Sequence, residues 1–88
     1  MIEKPILFTL PNCDKCELTR EYLKDTDYGL YPLPKDLKKW LGADKEIVEK
    51  YGIMEDIQRT APILVIPETK EKFVGLLRIK RWVDGNRE

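Results

Sequence analysis

The sequence predicts an α/β fold in which a four-stranded mixed sheet carries helices on both faces. Residues 6–10 and 63–66 are short apolar runs with the length and composition of buried strands. Residues 14–24 repeat their apolar side chains with the period of a helix. A helical crossover separates the first two predicted strands and a short connection joins the last two, so we expect one parallel and one antiparallel pair.

We expect the element order β-α-β-α-β-β-α. The predicted bounds, in chain order, are a strand over 6–10, a helix over 14–24, a weak strand over 28–33, helical residues over 34–51, a strand over 63–66, a strand over 73–77 and a helix over 79–85. Within 34–51, Gly42 and Asp44 indicate the end of one helix and the cap of another. The alternative is one long helix that is weakened at Gly42. Residues 53–59 are ambiguous, and residues 86–88 are expected to fray.

Length and composition restrict the function classes. The 88 residues, 42% of them hydrophobic, are enough for one domain over residues 1–88 with a modest core. Lys plus Arg and Asp plus Glu each number 16, so no net charge attracts nucleic acid or an anionic membrane surface. No apolar run approaches the roughly 20 residues of a membrane helix, and Glu3, Lys4 and Pro5 interrupt any signal peptide. We therefore expect a cytoplasmic protein.

Cys13 and Cys16 are the only cysteines, and histidine is absent, which excludes Cys-His and Ser-His-Asp catalysis. The pair follows a predicted strand and opens a predicted helix. A helix start lowers the pKa of a thiol from about 8.5, which favours a reactive thiolate at Cys13. Cys16 lies about one turn further along and can close a disulfide with Cys13. On the helical wheel we place Cys16 on the sheet side with Leu18 and leave Cys13 facing solvent.

Cys13-Asp14-Lys15-Cys16 after the first strand, with Thr60-Ala61-Pro62 just before the third, resembles the glutaredoxin branch of the thioredoxin superfamily. The likeness covers nearly the whole chain. Residues 10–13 and 17–19 are also similar to the small glutaredoxin-like hydrogen donors of ribonucleotide reductase. The resemblance implies a thioredoxin/glutaredoxin-like domain that acts as a dithiol thiol-disulfide oxidoreductase and electron carrier.

The resemblance also implies roles for individual residues. Cys13 would be the nucleophile and Cys16 the resolving thiol. Pro62 would be a cis-proline beside the disulfide. Five other residues are expected at the substrate site, because they neighbour these three or could contact a carboxylate or backbone group of the substrate. They are Asn12, Lys15, Thr60, Ala61 and Gly75.

The expected partners are a disulfide-containing protein substrate and a source of electrons. Leu10 stands where glutaredoxins carry a glutathione-binding Lys, and Leu76 and Leu77 follow Gly75 where they carry Gly and an acidic residue. These departures favour a flavoprotein reductase as donor, although glutathione as co-substrate stays open. We expect a monomer with no tightly bound cofactor.

Three other interpretations of the cysteine pair are open. Half of a zinc site would need two further ligands, which this chain could supply only as carboxylates or from a second chain. An iron–sulfur cluster or Cu(I) carrier would use the same cysteines together with thiolates from glutathione or a second chain. A scaffold domain that merely retains the motif would have no measurable redox couple.

Overall fold

The apolar run near the start of the chain forms a central strand, β1 (Ile6–Thr9), of a four-stranded sheet. The computed structural model describes residues 4–85, so the fraying expected of residues 86–88 lies outside the described residues. The remaining elements, in chain order, are α1 (Asp14–Tyr22), β2 (Gly29–Pro32), a 3₁₀ turn (Leu37–Lys39), α2 (Gly42–Lys50), α3 (Met54–Arg59), β3 (Ile63–Ile66), β4 (Glu71–Val74) and α4 (Leu76–Gly85).

The strand order is β2-β1-β3-β4. β1 runs parallel to β2 and antiparallel to β3, and β3 runs antiparallel to β4, which confirms the predicted pairing. In the register, Phe8 of β1 lies between Tyr31 of β2 and Ile63 of β3. The two central strands are the most apolar segments of the sheet because both of their faces are covered.

Helices cover both faces of the sheet, as predicted, and each face has its own core. Adjacent residues of a strand point to opposite faces, so Leu7 and Phe8 belong to different cores. Phe8 packs against residues from α2 and α3, including Val48 and Ile57. Leu7 packs with Ile79 of α4 and with other residues of the opposite face. Among residues 4–85, no helix has the length and apolar composition needed to cross a membrane.

The segment between β2 and β3 differs from the prediction. The ambiguous residues 53–59 contain a short helix, α3, so the chain has one more helix than the predicted order. Gly42 begins α2 instead of ending a helix, and Asp44 lies inside its first turn, where Oδ2 accepts the Leu41 N–H at 2.9 Å. Gly52 does stop α2, because its φ of +65° is a left-handed conformation that glycine adopts without strain.

The helix predicted after Pro34 is reduced to the 3₁₀ turn. Asp36 caps this turn through a 3.0 Å hydrogen bond from the Lys38 N–H to Oδ1. The indole Nε1 of Trp40 donates to the Pro34 carbonyl oxygen at 2.7 Å, which closes the loop on itself. Trp40 is buried, whereas Leu41, the next residue, is exposed.

The Tyr31 hydroxyl ties the edge strand β2 to α2. It donates a 2.7 Å hydrogen bond to Asp44 Oδ1. This hydrogen bond, together with partial burial and the carboxylate charge, raises the pKa of Tyr31 above its ordinary value of 10.0. Asp44 therefore serves both the start of α2 and the neighbouring strand.

The last strand and helix also have different bounds from those predicted. β4 ends at Val74, so Gly75 follows the strand instead of lying inside it. Gly75 has φ +93°, which breaks the extended backbone, and its carbonyl accepts the Ile79 N–H as α4 begins. Leu76 and Leu77, predicted in the strand, form the first turn of α4.

The buried side of α1 is narrower than predicted. Cys16 and Thr19 are buried, as is Leu23 just beyond the helix end, in agreement with the wheel. Leu18 is 53% exposed, so its placement beside Cys16 was wrong. Two positions along a helix are about 200° apart, which puts Leu18 on nearly the opposite side from Cys16.

We predict that Leu64→Ala lowers the free energy of unfolding by about 2–5 kcal/mol, because Leu64 is fully buried and the truncation leaves a cavity. Leu77→Ala is the matched control: the same atoms are removed from a side chain that is 75% exposed, so the change should stay within about 0.5 kcal/mol. Urea unfolding of both variants measures the difference. Equal losses of stability would contradict the assigned core.

Candidate functional site

The turn between β1 and α1 delivers the first cysteine to the helix start. Asn12 adopts a left-handed φ of +56°, a conformation that asparagine tolerates better than most residues. Cys13 follows with extended backbone and is the N-cap residue of α1. The end of β1 and the start of α1 therefore hold this sulfur in one place.

The two sulfur atoms lie at disulfide distance from each other, with the Cα atoms of Cys13 and Cys16 5.2 Å apart. The backbone N–H of Cys16 donates to Cys13 Sγ at 3.1 Å. The two cysteines differ in exposure: Cys16 is 4% exposed, whereas Cys13 is only half-buried. A reagent from solvent therefore meets Cys13 first.

The loop before β3 lies against Cys13. The Ala61–Pro62 peptide bond is cis, as the resemblance led us to expect. The Ala61 carbonyl oxygen lies 4.0 Å from Cys13 Sγ. The loop is held at its start by α3, because the Thr60 N–H donates to the Asp56 carbonyl at 2.8 Å.

The backbone of Ala61 precedes the paired part of β3, whose first ladder residue is Ile63. Within residues 4–85, the N–H of Ala61 has no hydrogen-bond partner. Ala61 is half-buried, so an incoming chain can reach this edge. A backbone donor that has no partner among residues 4–85 and lies next to Cys13 can pair with an extended segment of another chain.

Gly75 and Thr60 lie together on the far side of the cis-proline. The Gly75 N–H donates to the Pro62 carbonyl at 2.9 Å, which extends the β3–β4 ladder by one bond. A Cβ added to Gly75 would lie 3.7 Å from Thr60 Cγ2. The structure therefore brings Cys13, Ala61 and Pro62 together, and Thr60 and Gly75 adjoin Pro62.

Lys15 makes no hydrogen bond to either cysteine sulfur. Lys15 is exposed on α1, and within residues 4–85 its side chain makes no hydrogen bond or ion pair. Asn12 is likewise exposed, and its contribution is the backbone turn before Cys13. A role for either side chain in substrate binding stays a prediction.

A metal site is not formed by the described part of the chain. Among residues 4–85, no group of three or more Cys, His, Asp or Glu side chains is placed to hold an ion. A metal bound at Cys13 and Cys16 would need ligands from elsewhere, as the carrier interpretation already requires.

A cavity lined by Leu10, by the 3₁₀ turn and by α3 was missed in the sequence. This Trp40 cavity has a volume of about 430 Å³, and its lining comprises Leu10, Lys35, Asp36, Leu37, Lys38, Trp40, Ile57 and Gln58. Lys35, Lys38 and Lys39 are clustered in the sequence, but such a cluster is usually a solvated surface and does not predict a cavity. Its apolar walls come from the loop at Leu10 and from α3, and α3 could not be assigned from residues 53–59 alone.

We predict that Gly75→Ala lowers the free energy of unfolding by about 1–2 kcal/mol, because an L side chain is strained at φ +93° even though a Cβ has room there. Gly42→Ala is the control, since Gly42 lies in α2 with nothing within 4 Å of an added Cβ. That change should leave stability equal or raise it by up to about 1 kcal/mol. Urea unfolding tests both, and a Gly75→Ala protein as stable as the parent would contradict the assigned backbone.

Comparison of the chain with protein-family models, with curated proteins and with solved structures finds no match. The chemistry open to this site follows from the positions of its sulfur atoms and of the backbone groups around them.

Proposed function

We propose that this protein is a small dithiol thiol-disulfide oxidoreductase that reduces protein or glutathione disulfides. The observation that carries the proposal is the pairing of a half-buried Cys13 with a buried Cys16 at the start of α1. The sheet order and the cis-proline loop are compatible with a thioredoxin-like fold. The resemblance of residues 13–16 and 60–62 to glutaredoxins supports the same activity.

The helix start supports a thiolate at Cys13. In the reduced protein, the Cys16 N–H lies where it can donate to the Cys13 sulfur, and the positive end of α1 adds to this stabilisation. Both effects favour the thiolate over the thiol at Cys13. The nucleophile is thus available near neutral pH.

The reaction is a pair of thiol–disulfide exchanges. The Cys13 thiolate attacks one sulfur of the substrate disulfide, the substrate S–S bond breaks, and the other substrate sulfur leaves as a thiolate. Cys16 then loses its proton and attacks Cys13, which releases the second substrate thiolate. The substrate gains two electrons and two protons, and the protein is left with a Cys13–Cys16 disulfide that an external reductant must open.

The loop before β3 supports the binding of substrate. The Ala61 N–H, which has no partner in the described part of the chain, can pair with the backbone of an extended segment, while the Ala61 carbonyl lies beside Cys13. Such backbone pairing holds a segment without selecting its side chains. We propose that this loop positions the substrate cysteine against Cys13.

We predict that Cys13→Ser abolishes reduction of a model disulfide, because the attacking sulfur is lost. Cys16→Ser should instead accumulate a mixed disulfide, which non-reducing mass spectrometry detects, because attack by Cys13 remains possible while release does not. Reduction of bis(2-hydroxyethyl) disulfide is followed by NADPH oxidation in two parallel assays. One assay contains glutathione and glutathione reductase, and the other contains thioredoxin reductase. The coupling that turns over identifies the electron donor.

Parent-level activity in Cys13→Ser would overturn the proposal. A visible absorption band after anaerobic purification, together with no disulfide reduction, would favour the cluster or Cu(I) carrier instead.

We further predict that iodoacetamide modifies Cys13 of the reduced protein at least about tenfold faster than Cys16, because Cys16 is 4% exposed and Cys13 is half-buried. Peptide mapping of the alkylated protein measures both rates. Faster modification of Cys16 would reverse the roles of the two sulfurs.

A further inference from the structure

The Trp40 cavity lies beside both segments that form the cysteine site. Leu10 lines it and precedes Cys13 by three residues, and Gln58 lines it and precedes Ala61 by three residues. Three residues span at most about 11 Å of chain, so the cavity is within reach of any peptide held at the site. A segment that pairs with Ala61 needs only about three residues to arrive there.

The floor of the cavity is hydrocarbon. Trp40 and Ile57 are 7% and 1% exposed, and both belong to the core beneath. The indole of Trp40 has a single donor, Nε1–H, which already donates to the Pro34 carbonyl. The ring therefore offers only carbon atoms to a ligand. Leu37, at 39% exposed, adds an apolar side chain that packing leaves uncovered. A volume of about 430 Å³ over such a floor suits a large aliphatic side chain.

The rim of the cavity carries the charge. Lys35 and Lys38 are exposed, and within residues 4–85 neither makes an ion pair. Asp36 is the one carboxylate in the lining, and its Oδ1 is occupied by the Lys38 N–H. The two ammonium groups are therefore available to a carboxylate brought by a ligand.

We propose that the Trp40 cavity is the specificity site for a protein substrate. A segment within a few residues of the substrate's disulfide places a leucine-like side chain in the cavity and an acidic side chain at Lys35 and Lys38. This inference rests on the proposed disulfide reduction and adds the class of segment that is reduced fastest. Glutathione has carboxylates but no large aliphatic side chain, so it uses the rim without filling the floor.

The test uses prereduced protein in single-turnover reactions, so that no electron donor limits the rate. The probe is a homodisulfide peptide with Leu and Glu three and four residues away on both sides of its cysteine. Matched peptides replace Glu by Gln or Leu by Ser. Bis(2-hydroxyethyl) disulfide and glutathione disulfide are the reference substrates. The protein variants are Lys35→Gln/Lys38→Gln and the control Lys24→Gln/Lys45→Gln, which changes the net charge by the same amount away from the Trp40 cavity.

With the Glu peptide at low salt, Lys35→Gln/Lys38→Gln should react about threefold to tenfold more slowly than the parent, and the control at about the parent rate. The deficit should vanish at 1 M salt, where the screening length is about 3 Å. Replacing the peptide Leu by Ser should slow the parent about tenfold. The bis(2-hydroxyethyl) disulfide rate should be the same in all three proteins.

Several outcomes would overturn the inference while leaving the proposed function intact. These are an equal loss in both double variants, no loss in either, no effect of the peptide Leu, or a parent that reduces glutathione disulfide faster than the Leu and Glu peptide. Failure of the parent to reduce even bis(2-hydroxyethyl) disulfide would overturn the proposed function and the inference with it.

Discussion

The hydrogen bond from the Cys16 N–H to Cys13 Sγ is the interaction on which the proposed chemistry depends. It exists because β1 ends, one left-handed residue turns the chain, and α1 begins with a sulfur in the N-cap position. An N-cap side chain normally supplies oxygen to a free N–H of the first turn. Here the sulfur of Cys13 takes that place, and in the proposed function the same hydrogen bond favours the Cys13 thiolate.

The same helix gives the two sulfurs different surroundings. Cys16 lies on the side of α1 that faces the Leu7 core, with Thr19 and Leu23 buried beyond it. Cys13 remains at the helix end, where the loop carrying the cis-proline partly covers it. In the proposed mechanism, the substrate disulfide therefore meets Cys13, and Cys16 makes the intramolecular attack. The difference in exposure between Cys13 and Cys16 follows from their three-residue spacing on a helix with one buried side.

Most of the sheet could be predicted from the sequence, because residues 6–9 and 63–66 are apolar runs without a helical period. The cysteine pair and the cis-proline were also found, but the proline isomer depended on the resemblance, since cis is uncommon for X–Pro bonds in general. Leu18 was placed on the wrong side of α1, because it lies about 200° around the helix from Cys16. The contact between Asp44 and β2 was missed, because the Asp44 carboxylate accepts a hydrogen bond from Tyr31, which is distant in sequence.

The short helix α3 shows why the rest could not be predicted, and why the site and the cavity are linked. Six residues are too few for a periodic pattern, and α3 depends on tertiary packing for its stability because Ile57 is buried in the Phe8 core. The same six residues place Thr60 before the cis-proline through the Asp56 carbonyl and provide the Ile57 floor of the Trp40 cavity. A change in the core at Ile57 would therefore disturb the cysteine site and the cavity together. The rim lysines lie on the exposed chain before α2, so their charge can change without moving the sulfurs. The proposed substrate preference can therefore vary independently of the proposed disulfide exchange.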